Sequence, residues 1–235
     1  MIKIAVQIVN INNLGYTKEV INDILVQTCP YKLTVIDQGS TEEGTKEYLE
    51  FLDQLEWIEV IRNKENVNLN ILWNRLYHNS DCEYICFLNN DVRIPSNFLK
   101  DTVEIFEREK GVGCVVHATN HPKYCAVKEL EYVVLEDKFT QGWDFTMRRE
   151  VYDPIPENID TFGGDDWLFT RMYNKDWSAA VAISSPIIHY KAKSRKYFKG
   201  DRNVAVGILA ELGVDRLPYQ NSYSKPHPTF SKIIE

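Results

Sequence analysis

Tyr84-Ile85-Cys86-Phe87-Leu88-Asn89-Asn90-Asp91-Val92 is a short apolar run that stops in two amides and a carboxylate. Runs of this length, rich in aromatic and β-branched residues, read as buried strands. In an open α/β sheet, ligands sit beyond the carboxyl ends of the strands. Asp91 therefore stands where a hard cation and a phosphate can meet. Magnesium and manganese favour oxygen ligands and commonly bridge one or two carboxylates to substrate phosphates. Taken alone, these nine residues read more simply as a strand followed by an Asx turn. The order of the elements around them changes that reading.

Strand-like and helix-like segments alternate on the N-terminal side. Ile2 to Val9 reads as a strand, and Thr17 to Gln27 as a helix with its apolar stripe at Val20, Ile21, Ile24 and Leu25. Leu33 to Ile36 is a second strand, closing on Asp37-Gln38-Gly39-Ser40-Thr41. Ser40 and Glu43 have the spacing of a capping box for a helix running to about Leu52. Trp57 to Ile61 reads as a strand and Asn70 to Tyr77 as a helix. Beyond Asp91, Pro95 stands near the start of a helix reaching about Arg108, and Val112 to Val116 is a strand. Further on, Glu131 to Glu136, Phe145 to Arg148 and Ala179 to Ile183 look extended. Asp165 to Asn174 and Asp201 to Leu212 look helical, with Gly213 as the C-terminal stop of the latter. Such alternation predicts βαβ units and an α/β fold with a mainly parallel sheet. The tail from Pro218 has prolines and polar residues without periodicity and reads as a surface strap or a disordered end.

The 235 residues suffice for one large domain or two intimately packed halves, and 12% aromatics supply ample core. A formal charge of −7 argues against a broad nucleic-acid-coating surface. No run of about 18 apolar residues occurs, so no membrane span is expected, and the N-terminus reads as a strand rather than a signal peptide. Five cysteines without framework spacing point to reduced thiols and a cytoplasmic location. A zinc site is not expected, because no second Cys or His pair is close in sequence.

Five landmarks, in order, resemble the family 2 glycosyltransferases of the GT-A fold. Ile4 to Thr28 is similar to the family's opening strand, helix and "Q-T" turn. Val35 to Thr41 is similar to its nucleotide-contacting acidic turn. Asn66-Val67-Asn68 with Asn74 is similar to its "N-x-G" and following asparagine, and Asn89-Asn90-Asp91 to its metal-binding "D-x-D". Gln141-Gly142-Trp143-Asp144-Phe145-Thr146-Met147-Arg148-Arg149 is similar to its acceptor segment. The resemblance spans Ile4 to about Gly213. It implies a single GT-A domain over residues 1–235, with a nucleotide-sugar half (1–92), an acceptor half (93–217) and a tail (218–235).

The resemblance also implies roles. Asp37 accepts from uracil N3 or a ribose hydroxyl. Gln38 replaces a second acidic residue, and its amide can pair with a base edge; thymidine stands beside uridine as the nucleoside. Asn68 and Asn74 join the donor-binding set. Asp91 takes the metal contact, leaving Asn89 and Asn90 as turn formers and ribose or phosphate donors. One carboxylate implies a cation, Mn2+ or Mg2+, that binds well only with the diphosphate present. His189 is a second candidate metal ligand through a neutral ring nitrogen. Lys193 and Arg195, in a basic strip from Lys191 to Arg202, would grip the leaving phosphates.

Thr161-Phe162-Gly163-Gly164-Asp165-Asp166-Trp167 is the second centre. Glycines let backbone approach a ligand, and two carboxylates open a helix. Simple helix capping would explain them equally. The resemblance puts a catalytic base here, with Arg171 as the arginine that follows it, favouring Asp165 over Asp166. Gly142, Trp143, Asp144 and Gly164 are the acceptor contacts, Trp143 as an exposed sugar-stacking ring. Trp57, Trp73, Trp167 and Trp177 are expected in the core, and His117 has no assigned role.

The implied activity is inverting transfer of a sugar from a UDP- or dTDP-linked donor to a hydroxyl of a saccharide or glycoconjugate. A hydroxylated base of viral DNA is an alternative acceptor, with the basic strip tracking phosphates. A binding module that kept the nucleotide pocket without turnover is an alternative of another class.

Overall fold

The structure, a computed structural model, describes residues 2–119, 131–135, 138–190, 201–214 and 217. In chain order the elements are β1 (Ile4–Asn10), α1 (Leu14–Leu25), β2 (Tyr31–Gln38), α2 (Thr45–Asp53), β3 (Ile58–Asn63), α3 (Leu69–Asn79), β4 (Tyr84–Asn89), β5 (Val92–Arg93), α4 (Phe98–Arg108), β6 (Val112–Thr119), β7 (Tyr132–Leu135), β8 (Asp144–Arg148), α5 (Gly164–Tyr173), β9 (Ser178–His189) and α6 (Arg202–Glu211). Every expected strand and helix is present.

The strands form one mixed sheet in the order β3-β2-β1-β4-β8-β6-β9-β5, with β7 on β9. The first four are parallel, as βαβ crossovers require. β8 enters antiparallel between β4 and β6. Period-two alternation splits the core between the two sheet faces. Ile85 and Phe87 join Trp73, Phe145 and Phe169 under α3 and α5, while Tyr84, Cys86 and Leu88 join Ile21, Leu49 and Phe106 under α1, α2 and α4.

Parallel register aligns the carboxyl ends. Asn10 pairs with Asp37 across β1–β2, and Val9 with Asn89 across β1–β4, so polar strand ends gather along one rim. β5 runs antiparallel to the end of β9, pairing Val92 with His189, and Tyr190 N–H donates to Asp91 C=O at 2.9 Å. That pairing brings residues 91 and 189 side by side.

Two local expectations are corrected. α2 begins at Thr45 behind Gly44, with no side-chain cap, so Ser40 and Glu43 form no capping box. Ser40 instead turns back to β2, its Oγ–H and N–H both donating to the Asp37 carboxylate. Trp57 is not core: it is 50% exposed and meets only the edge of Tyr31. The cysteines among the described residues are free thiols, and no helix among those residues is long and apolar enough to cross a membrane.

Arg148, from the expected acceptor segment, is a structural anchor. It is 9% exposed. Its guanidinium donates to Val112 C=O at 2.8 Å, to Phe106 C=O and to Glu109 C=O, and lies 4.9 Å from the Phe106 ring centroid. It thus closes the C-terminal carbonyls of α4 onto β8. Arg148→Ala is expected to cost about 3 kcal/mol, since it strands buried acceptors and removes packing. Calorimetric melting should show a fall of roughly 6–12 °C. Arg149→Ala, which loses a ring contact with Tyr77, should move Tm far less. Equal shifts for the two variants would contradict the anchoring role.

Candidate active site

The rim carries a buried polar network that sequence reasoning missed. Asn10 is fully buried at the end of β1. Its Nδ2 donates to Asp37 Oδ1 at 2.8 Å and to Ser40 Oγ at 3.1 Å, and its Oδ1 accepts from Thr17 Oγ1 at 2.6 Å and Asn90 Nδ2 at 3.2 Å. Asn90 also donates to Thr17 Oγ1 and Asn12 C=O. One amide therefore ties the Asp37 turn at the end of β2 to the Asn89–Asp91 turn after β4. The signal was available, because Asn10 ends an apolar strand as Asp37 and Asn89 end theirs. Asn12 and Asn13 both hold left-handed backbone, with φ of 51° and 55°. Asn12 Oδ1 repays this by accepting from the N–H groups of Thr41 and Glu42.

Three residues expected to contact the donor also anchor loops. Gln38 is buried, its Nε2 donating to Val67 C=O and its Oε1 accepting from Asn63 Nδ2 and Val67 N–H. Its amide fastens the loop before α3 rather than presenting an edge to a base. Asn68 caps α3, accepting from Asn70 N–H, and donates to Ile159 C=O. Asn74 bridges to the loop before α5, donating to Ile155 C=O and accepting from Ile155 N–H and Tyr152 Oη–H. Asp37 stays at the rim, its carboxylate held by Asn10 and Ser40. Lys193 and Arg195 lie outside the described residues.

Asp91 and His189 are both buried, with His189 Nε2 3.5 Å from Asp91 Oδ1. That spacing suits two ligands of one cation whose bonds are about 2.1 Å long. Among the described residues no cluster of three or more His, Cys, Asp or Glu side chains could hold a metal ion.

Trp143 is not an exposed platform. It is 8% exposed and stacks on His189, ring centroids 5.0 Å apart and planes at 13°. Its Nε1–H donates to Thr119 Oγ1 at 3.2 Å, and its C=O accepts from Asn89 N–H at 3.0 Å. Asp144 is engaged inside the protein. Fully buried, it accepts from His117 N–H at 3.0 Å, faces His117 Nδ1 at 3.2 Å and accepts from Gln141 Nε2. Burial pushes its carboxyl pKa up, and the His117 contacts pull it back. His117 is the other half of this strut, its ring stacked on Phe98.

The acidic turn comes to the same place. A Cβ on Gly142 would stand 2.8 Å from Asp165 Oδ2, so glycine is what lets that carboxylate reach the segment just before β8, next to Trp143. A Cβ on Gly164 would stand 2.0 Å from Asn70 Oδ1, which fixes the start of α5 against α3. Gly163 is the N-cap, and Asp165 and Asp166 both lie in the first turn of α5. Asp166 points elsewhere, accepting from Leu217 N–H at 3.1 Å beside a small hollow lined by Phe162, Arg202, Ala205 and Leu209. Burial, then the Asp165 charge, raises its pKa to about 7, against the pull of Leu217 N–H and Arg202. Arg171 pairs with Asp153 at 2.7 Å and covers the Trp167 ring.

The sequence profile of glycosyl transferase family 2 matches residues 5–177. The chain belongs to this family. No curated protein is significantly similar to it in sequence. Solved structures share the GT-A fold at low identity. GalNAc-T7, solved with UDP, GalNAc and Mn2+, superposes with a TM-score of 0.68 at 13% identity over 89% of this chain and 48% of its own. S. aureus TarS gives 0.65 at 16% over 89% and 70%. The mannosyltransferase PcManGT from Pyrobaculum calidifontis, solved with GDP-Man and Mn2+, gives 0.65 at 16% over 83% and 58%. This family 2 chain thus spans about half the length of the GalNAc-T7 structure.

Asp166 makes stability pH-dependent in a stated direction. An ordinary aspartate carboxyl in the unfolded chain releases its proton near 3.8, while burial holds it in the folded state to about 7. Between these values the folded state binds more protons, so stability falls as pH rises through the window. Asp166→Asn removes that slope and keeps an acceptor for Leu217 N–H. The variant should match the parent near pH 4 and exceed it by a few kcal/mol at pH 8. Chemical denaturation at both pH values measures the difference, and a constant offset across the range would assign the slope elsewhere.

Proposed function

We propose that this family 2 chain transfers a sugar from a nucleoside diphosphate donor to an acceptor hydroxyl, with inversion and without a covalent enzyme intermediate. The observation that carries the reading is a convergence on residues 141–143: Asp165 packs on Gly142, while Trp143 is bonded to the Asn89 turn and stacked on the partner of Asp91. The bound complexes of GalNAc-T7 and PcManGT, with Mn2+ beside UDP or GDP-Man, support the same use of the rim.

Asp37 would receive the base or ribose, with Asn10 and Ser40 holding it in place. Asp91 and His189 fit a hard or borderline cation, Mn2+ or Mg2+, which when bound would neutralise charge on the leaving diphosphate. Asn89 and Asn90 shape the turn that presents Asp91. The acceptor oxygen attacks the anomeric carbon as the bond to the diphosphate oxygen breaks. The diphosphate leaves with the bonding pair, and Asp165 takes the acceptor proton. Burial of the pair and of Asp165 keeps water from competing for the donor. A saccharide or glycoconjugate is the proposed acceptor.

A panel of UDP-, dTDP- and GDP-sugars with Mn2+ or Mg2+ tests the reading. One donor should be hydrolysed slowly without acceptor. Tight nucleotide binding with no turnover on any donor would transfer the site to the non-catalytic binding class.

A further inference from the structure

We propose that Trp143 is a positioning residue for His189, setting the ring plane in which Nε2 meets the cation shared with Asp91. The inference rests on the metal reading above and goes beyond it. The final torsion of a histidine side chain is broad and roughly two-fold, so strand geometry alone does not fix where Nε2 points. Here the indole lies nearly parallel to the imidazole, at 13° and 5.0 Å, and selects one plane. The indole is itself pinned. Nε1–H donates to Thr119 Oγ1, at the register shift that β6 makes between His117 and Thr119, and Trp143 C=O accepts from Asn89 N–H. The ring that orients one ligand is therefore bonded through backbone to the turn that carries the other. Loss of a group that orients a metal ligand typically costs 10–100-fold in metal affinity.

The test is Mn2+ binding, with free Mn2+ counted by electron paramagnetic resonance in the presence of UDP, dTDP or GDP. Trp143→Ala should weaken Mn2+ at least tenfold, while nucleotide affinity in EDTA is unchanged. Trp143→Phe, which keeps a flat face, should restore affinity to within about threefold of the parent. Trp143→Leu replaces the alanine variant if that one does not fold. In a His189→Ala background the Trp143 substitution should add nothing, because a group acting through His189 has nothing left to orient. Unchanged affinity in Trp143→Ala overturns the proposal, as does an undiminished loss in the His189→Ala background, which would mark simple packing. If Asp91→Asn and His189→Ala lose Mn2+ but Trp143→Ala does not, this proposal fails alone. If Asp91→Asn has no effect, or the unmodified protein binds no Mn2+ with any of the three nucleotides, this proposal and the metal reading fall together.

Discussion

Asp165→Asn is expected to bind donor nucleotide normally and to lose sugar transfer by roughly 100-fold or more, the usual cost of a missing general base. The base acts on the acceptor proton, so nucleotide affinity is the control that isolates the step. Two adjacent carboxylates compete for the role, and geometry precedes pKa in choosing. Successive residues on a helix point about 100° apart, so α5 sends its two carboxylates to different neighbours. Asp165 Oδ2 reaches Gly142, beside Trp143 and the strand that pairs with β4. Asp166 faces α6 and is engaged by Leu217 N–H. A pKa of about 7 would suit Asp166 as a base. Its carboxylate, however, is turned to Leu217 and to the hollow beside Arg202 and α6. Asp166→Asn should therefore keep most turnover, with its main effect on the pH dependence of stability. Transfer rates of both variants against one acceptor decide the matter. A dead Asp166→Asn enzyme would move the base by one residue, and two active variants would remove it from this turn.

The strands were legible because each is a burial event written locally. Tyr84 to Leu88 alternates between two cores, and no other use of those five residues buries them all. Helix stripes such as Val20, Ile21 and Ile24 follow the same logic. Polar roles were far less legible. Asn74 binds the backbone of a residue 81 positions away, and Asn68 one 91 positions away. Nothing in local spacing distinguishes such an amide from one that contacts a ligand. Asp144 and Trp143 show the same limit: next to each other in a motif, one is sealed under His117 and the other lies on His189. Trp143 precedes β8 and Asp144 opens it, and only the placement of β6 and β9 decides that one meets His189 and the other His117. Capping failed at α2 because Ser40 had a stronger partner in the Asp37 carboxylate than in an exposed helix end. Asp91 and His189 were named together from a family pattern, and the β5–β9 register is what sets them side by side.

Asp91→Ala is expected to abolish the contribution of metal to nucleotide binding. In the unmodified protein, a nucleoside diphosphate should bind more tightly with Mn2+ than in EDTA by about one to two orders of magnitude, at least the cost of losing an outer partner of a metal. The argument is one of ligand supply. Mn2+ and Mg2+ commonly bridge one or two protein ligands to substrate phosphates, so the proposed Asp91–His189 site would be completed by the diphosphate. Cation and diphosphate then each raise the affinity of the other by the same factor. Removing the carboxylate takes away the charged half of the protein's share and leaves a neutral imidazole, which holds Mn2+ poorly by itself. His189→Ala should lose less, since the carboxylate remains. The free nucleoside carries no diphosphate and should bind both variants like the parent, because Asn10 and Ser40 still hold the Asp37 turn. Titration calorimetry of UDP and dTDP, each with Mn2+ and with EDTA, measures the coupling directly. Equal affinity in EDTA for the unmodified protein, or a metal effect that survives in Asp91→Ala, would remove Asp91 from the metal site.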